Sequence, residues 1–129
     1  MTTRREARRL AIDILYQADV TGSDPRVVLQ SWVEAERDVP GFTRSLVEGA
    51  DRDGPAIDLL LEEHARDWTV ARMAPVDRTI LRVAIEELRY RDDVPDSVAI
   101  SEAVEAAAEL SSEESKAFVN GILGKIARG

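Results

Sequence analysis

Apolar residues return every three or four positions along nearly the whole of this chain, and nowhere do they alternate with polar ones over the length of a strand. A helix needs that period to turn one stripe toward a core, whereas a half-buried strand needs a period of two. Five prolines, Pro25, Pro40, Pro55, Pro75 and Pro95, punctuate the pattern. Proline lacks a backbone donor and clashes with the preceding turn, so each one marks a helix start or a break. The sequence is therefore expected to fold as an all-α bundle of short helices joined by short loops.

The first helix is predicted to open at Thr3, which stands in capping-box spacing with Glu6, and to carry Ala7, Leu10, Ala11, Ile14, Leu15 and Ala18 on one stripe. "TGSDP" closes it and offers Asp24 as the N-cap of a second helix, with Pro25 at its first position. That helix carries Val28, Leu29, Trp32 and Val33, and a third carries Phe42, Leu46, Val47 and Ala50 up to the break at "DRDGP". The fourth stripe is Ile57, Leu60, Leu61, Ala65 and Trp68. "PVDRTILRVAIEELRYR" is the clearest helix, with Ile80, Leu81, Ala84, Ile85 and Leu88 in register and Asp77 placed to cap it. An alanine-rich helix follows from about Val98 to Leu110. The last helix opens at a Ser111–Glu114 capping box and buries Val119, Ile122, Leu123 and Ile126.

At 129 residues the chain is expected to be one domain, spanning residues 1–129, with a single core. It has no cysteine, which removes disulfides, thiolate nucleophiles and cysteine metal sites. No apolar run is long enough to span a membrane, and a cytoplasmic protein is the default expectation. His64, the one histidine, stands four residues from Leu60 and from Trp68, a place for core-edge packing rather than ligation. No phosphate loop, dinucleotide turn, nucleophile elbow or metal-ligand cluster is present, so neither catalysis nor a cofactor is expected.

The charge is distributed unevenly. Within "RREARR", Arg4, Arg5, Arg8 and Arg9 are offset only by Glu6, in a chain of net charge −8. At about 100° per residue the four arginines share one sector of about 140° away from the apolar stripe, with Ile12 and Tyr16 in line with them. Two readings stay open. The sector is either a solvated face whose arginines pair with acids, or a surface for phosphate, which the planar guanidinium fork bonds bidentately. Four cations at a helix N-terminus oppose the macrodipole, and only Glu6 and Asp13 are local counter-charges, which leans toward a ligand.

The blocks "VDRTILRVAIEEL", "DVPDSVAISEAVEAAAEL" and "FVNGILGKI", in that order and spacing, together with "RREARRLAIDILYQ" at the start, resemble the NusB family. The resemblance covers most of the chain and is weakest between Thr21 and Asp58. It implies two small helical subdomains and a role in transcription antitermination and ribosomal RNA synthesis. It implies binding of boxA-type single-stranded RNA together with the ribosomal protein NusE, and loading onto the RNA polymerase elongation complex with other Nus factors. By position it assigns Arg4, Arg5, Arg8 and Arg9 to RNA, with Lys116, Phe118 and Asn120 of "SKAFVNG" as the second half of that surface, and it turns Tyr16 and Asp77 toward NusE.

These residue types suit the chemistry. A lysine neutralises phosphate, a phenylalanine offers a stacking platform, and an asparagine reads a base edge. Each also has a structural reading: Phe118 as a core aromatic, Asn120 as a buried amide between helices, and Asp77 as an ordinary cap. Gly121 and Gly124 are explained either by close helix approach or by an RNA backbone. Glu86, Glu87, Glu102 and Glu105 suit a basic partner or are simply a solvated face. Ser101 and Ala108 depart from the family pattern, where asparagine and lysine are common. The alternative to an RNA-binding factor is a protein–protein scaffold or a homodimer that does not bind RNA itself.

Overall fold

The computed structural model describes residues 2–35, 37–65 and 68–129. Among them lie seven α-helices and one 3₁₀ turn, with no strand. The helices are α1 (Arg4–Thr21), α2 (Pro25–Glu34), α3 (Gly41–Arg52), α4 (Gly54–His64), α5 (Pro75–Tyr90), α6 (Asp96–Leu110) and α7 (Glu113–Arg128). They form two small packing groups, α1 with α2 and α3, and α4 through α7. α5 joins the groups by lying against both α1 and α3. One continuous apolar core runs through both, with Ile14, Leu46, Ile57, Leu61, Leu81, Ile85 and Leu123 fully enclosed.

The helix ends follow local chemistry closely. Thr3 caps α1, its Oγ1 accepting from the Glu6 N–H at 3.1 Å. Gly22 ends α1 in the left-handed conformation at φ 68°, which a side chain would strain. Asp24 caps α2 through the Arg26 N–H at 2.9 Å, with Pro25 in the first turn. Three expectations require correction. α4 ends at His64, so Trp68 leaves the stripe and stands half-exposed. Asp77 does not cap α5: the N-cap position is Ala74, and Asp77 lies within the first turn. The α7 cap is Ser112 rather than Ser111, with its hydroxyl accepting from Ser115 N–H at 3.0 Å.

A further correction concerns Glu86, which is no part of a solvated face. It is 1% exposed on α5, pressed against α3 where a side chain on Gly49 would collide with its Oε1. The buried Glu86 side chain occupies the space that a Cβ at position 49 would need. Burial, and then a hydrogen bond shared with Asp53, push the Glu86 carboxyl up to about 7, against the pull of Arg52 and Arg91. Its Oε2 has no partner.

An acid held high in the folded chain keeps its proton better there than in the unfolded chain. This contribution to stability is whole below pH 4.5 and is lost as pH rises to about 7. Glu86→Gln keeps the shape and the donor to Asp53 but cannot ionise. Urea denaturation at pH 5 and pH 8 is expected to show the wild type losing roughly 1–3 kcal/mol more than the variant between the two. Parallel losses in both proteins would refute the assignment.

Candidate nucleic-acid interface

α1 gathers its four arginines within two turns, and the tertiary fold answers each with a carboxylate. Arg8 turns inward, donating from Nε to both Glu87 oxygens on α5 at 2.7 and 3.0 Å. The two side chains are 7% and 1% exposed, which makes this a dry ion pair. Arg4 donates to Asp93 at 2.8 Å, Arg9 to Glu109 at 2.7 Å, and Arg5 to Glu102 at 3.1 Å and to Glu105. Those partners lie between 89 and 100 residues away in sequence. The Glu109 carboxyl is held below its ordinary range by the Arg9 hydrogen bond, and Asp93 likewise by Arg4 and then Arg91.

The sector of four exposed cations thus holds three, and Arg8 is the correction. α5 packs on the side of α1 that carries Arg8 and Ile12, widening the buried arc beyond the apolar stripe. Ile12, expected on the surface beside the arginines, is 6% exposed and belongs to the core. Glu87, like Glu86, is buried rather than solvated, because it must meet Arg8 there. Arg5 and Arg9 line an open depression of about 430 Å³ with Leu10, Asp13 and Glu109.

The partly buried Phe42 ring of α3 carries no sequence signal beyond its place in a stripe. The guanidinium carbons of Arg4, Arg8 and Arg91 stand 4.6, 5.3 and 5.0 Å from its centroid. Three cations against one ring are a cation–π cluster that holds the N-terminal arginines in place. Positions 4 and 8 are one turn apart on α1, but only the packing of α1 and of α5 on α3 brings them to Phe42 and Arg91.

The α7 residues fall into two groups. Lys116 and Asn120, one turn apart, are exposed, so Asn120 is not a buried amide between helices. Lys116 has a loose ion pair with Glu113 at 3.9 Å. Phe118 is partly buried, packs on the core, and lines a cavity of about 460 Å³ with Trp68, Arg72, Met73, Asp77 and Ser115. Asp77 Oδ2 accepts from Ser115 Oγ at 2.9 Å, while its Oδ1 is buried without a partner. The structure therefore sets Phe118 beside Asp77, while the arginine row runs to Glu109 at the last turn of α6, just before the turn into α7. Tyr16 is 38% exposed on α1.

Neither α7 glycine is required by a neighbouring helix. A Cβ on Gly121 would meet nothing within 4 Å, and one on Gly124 only the flexible end of Arg128, at 3.4 Å. His64 keeps to its core edge, with Nδ1 2.9 Å from the Leu60 carbonyl oxygen. Among the described residues no cluster of three or more metal-ligating side chains occurs, and no helix is long and apolar enough to cross a membrane.

Residues 5–128 match the model of the NusB family. The chain is 48% identical to a transcription antitermination protein NusB from Saccharopolyspora erythraea, over 98% of this chain and 88% of the relative. Its fold is similar to that of T. maritima NusB, with a TM-score of 0.89 and 32% identity over 98% of this chain and 92% of the other. It is also similar to a chain in a crystal structure of antitermination factors NusB and NusE in complex with dsRNA. There the TM-score is 0.85 and the identity 27%, over 97% and 96% of the two chains.

Burial divides the arginines into one enclosed in the fold and three whose ion pairs lie at the surface. Arg8→Ala is expected to cost about 3–5 kcal/mol by stranding Glu87. Arg4→Ala, Arg5→Ala and Arg9→Ala, whose ion pairs lie at the surface, should each cost far less than Arg8→Ala. Chemical denaturation of the four variants checks the split, and equal losses would overturn it. Gly121→Ala should gain about 0.5–1 kcal/mol of helix stability in the same assay, since the added methyl meets open space.

Proposed function

The chain belongs to the NusB family, and from that premise we propose that it binds boxA-type single-stranded RNA together with the ribosomal protein NusE and supports ribosomal RNA transcription. In this reading it works in the cytoplasm as one domain, and the pair loads onto the RNA polymerase elongation complex with other Nus factors. The observation that carries the reading is the row of Arg4, Arg5 and Arg9 at the surface of α1. These are fork-shaped phosphate binders on an acidic protein, on a helix fixed from below by the Arg8–Glu87 pair.

Roles then follow from exposure and chemistry. Arg4, Arg5, Arg9 and Lys116 neutralise phosphates, and Arg8 orients the row without touching RNA. Asn120 reads a base edge from its exposed position on α7. Phe118 supplies a stacking surface at the rim of the cavity it shares with Asp77. Tyr16 offers NusE an exposed ring, and Asp77 lies at the cavity on the NusE side, its carboxylate held by Ser115. The absence of a cation at Ala108 leaves phosphate contact to these four residues. The structural neighbour's NusB–NusE–dsRNA complex supports an RNA role for the fold.

The observation favouring a second reading, a scaffold or homodimer that does not bind RNA, is that every arginine of the knot already has a carboxylate. The two part in one titration. Labelled boxA-type RNA, single-stranded and as a duplex, is titrated by anisotropy with and without NusE. The variant Arg4→Ala/Arg5→Ala/Arg9→Ala, which spares the structural Arg8, is expected to lose at least about tenfold in affinity for the single strand. Four phosphate contacts limit the log–log salt slope of the wild type to roughly −2.8 at its steepest, short of the roughly −3.5 that a fifth contact at Arg8 would allow. Unchanged binding by the triple variant, or a slope near zero, would favour the scaffold.

A further inference from the structure

The acids that meet the arginine row come from one place. Glu102, Glu105 and Glu109 stand at i, i+3 and i+7 on α6, so they share one face of the helix. That face runs beside Arg5 and Arg9. Arg5 is held by Glu102 and Glu105 together, and Arg9 by Glu109. Three carboxylates thus answer two guanidiniums, one more anion than neutrality needs. A helical stripe of acids is usually scattered among solvent and local lysines, yet this one is aligned on the cations of a helix nearly a hundred residues earlier.

The seam also lies where a ligand can reach it. The Arg5 side chain is 51% exposed, Glu105 45% and Glu109 59%; Arg9 and Glu102 are partly covered, at 23% and 20%, but the depression along Arg5, Arg9 and Glu109 is open to solvent. The contrast with Arg8 and Glu87 is sharp: that pair is closed off from water and from ligands alike. Exposed ion pairs contribute little to stability, so the fold does not depend on the α6 stripe staying in contact. A ladder of evenly placed anions is also what a nucleic-acid backbone presents to a row of arginines.

We infer that Glu102, Glu105 and Glu109 act as a built-in competitor for the arginine row: RNA takes Arg5 and Arg9 by displacing these carboxylates, which thereby restrain RNA binding by the chain on its own. The inference rests on the RNA reading proposed above. Displacement leaves up to three glutamates unpaired beside incoming phosphates, and like charges at that distance lower affinity. The freed carboxylates gather cations that the RNA has released, so the salt dependence of the wild type is shallower than its arginine count implies. A weak or non-specific anion fails to open the seam, whereas a strand that also engages Lys116 and Asn120 succeeds. The stripe is thus a filter on which polyanions are accepted.

The test uses the full chain and the single-stranded boxA-type RNA. Glu102→Gln/Glu105→Gln/Glu109→Gln keeps side-chain shape and removes three charges. It is expected to bind RNA about tenfold more tightly without NusE, with a salt slope steeper by about 1. Adding Arg5→Ala/Arg9→Ala to the glutamine background should abolish that gain, since a competitor acts only through the cations it covers. Glu105→Gln/Glu109→Gln, confined to the more exposed positions, should gain about threefold and guards against misfolding of the triple variant, which circular dichroism monitors. Affinity unchanged or reduced in folded glutamine variants means that the glutamates position the arginines or stand by, and overturns the inference while leaving the RNA reading intact. Loss of binding in no arginine variant overturns the RNA reading itself, and this inference with it.

Discussion

The ion pair between Arg8 and Glu87 governs where everything else at the candidate interface stands. It crosses from the second turn of α1 to the penultimate turn of α5, out of reach of water. A pair so buried adds little net stability, since desolvating both charges offsets most of their attraction. What it enforces is register. Sliding or rotating α1 on α5 by one residue would leave a guanidinium and a carboxylate alone in the core, a far larger penalty than any loss of apolar contact. With Arg8 fixed, Arg4, Arg5 and Arg9 have no choice of direction: they emerge on either side of it, toward Asp93 and the α6 glutamates. Phe42 completes the mount by giving three guanidiniums a common ring. An exposed arginine is ordinarily a floppy cation; these are held in a row.

The acidity of the chain acquires a structural meaning from the same geometry. The fold places carboxylates against each arginine of the N-terminal helix, with Glu102, Glu105 and Glu109 at the surface and Glu87 beneath it. A second buried acid, Glu86, is handled differently, by keeping its proton to around neutral pH beside Asp53. Two neighbours on one helix therefore meet burial differently. Glu87 is answered by the buried guanidinium of Arg8, whereas Glu86, with Arg52 no nearer than 3.6 Å, holds its proton up to about pH 7.

Much of the fold was legible because its determinants are local. The Thr3 and Asp24 caps, the Gly22 stop, the prolines and the apolar stripes each act within a few residues, and the helices sit where those signals put them. The misses share the opposite property. Trp68 fell outside α4 because what ends that helix is not written in its stripe, and Asp77 missed its cap because Pro75 already supplies a helix-ready first turn. Arg8 and Ile12 look like surface residues on an angular wheel, which takes the buried arc from the helix alone, whereas α5 covers more of α1 than the apolar residues mark out. Glu87 looks solvated in sequence because its partner lies 79 positions away. The candidate site was legible as a list of residue types and opaque as an arrangement. Which arginines are exposed, which acids cover them, and the shared cavity of Phe118 and Asp77 are all consequences of tertiary packing.

α5 carries both halves of the proposed interface, and this limits how they communicate. Asp77, at its first turn, faces the cavity rimmed by Phe118, and Glu87 holds the arginine helix ten residues on, about 15 Å along one rigid axis. Between them Ile80, Leu81, Ala84 and Ile85 are locked in the core. A packed helix of this kind does not stretch or pivot to carry a signal from one end to the other. If NusE at the Asp77 side strengthens RNA binding at the arginine side, the simplest physical source is a composite surface on which the RNA touches both proteins at once. The coupling is then reciprocal by linkage, with RNA tightening NusE by the same factor. It requires no second conformation of this chain beyond the opening of the glutamate seam at its surface.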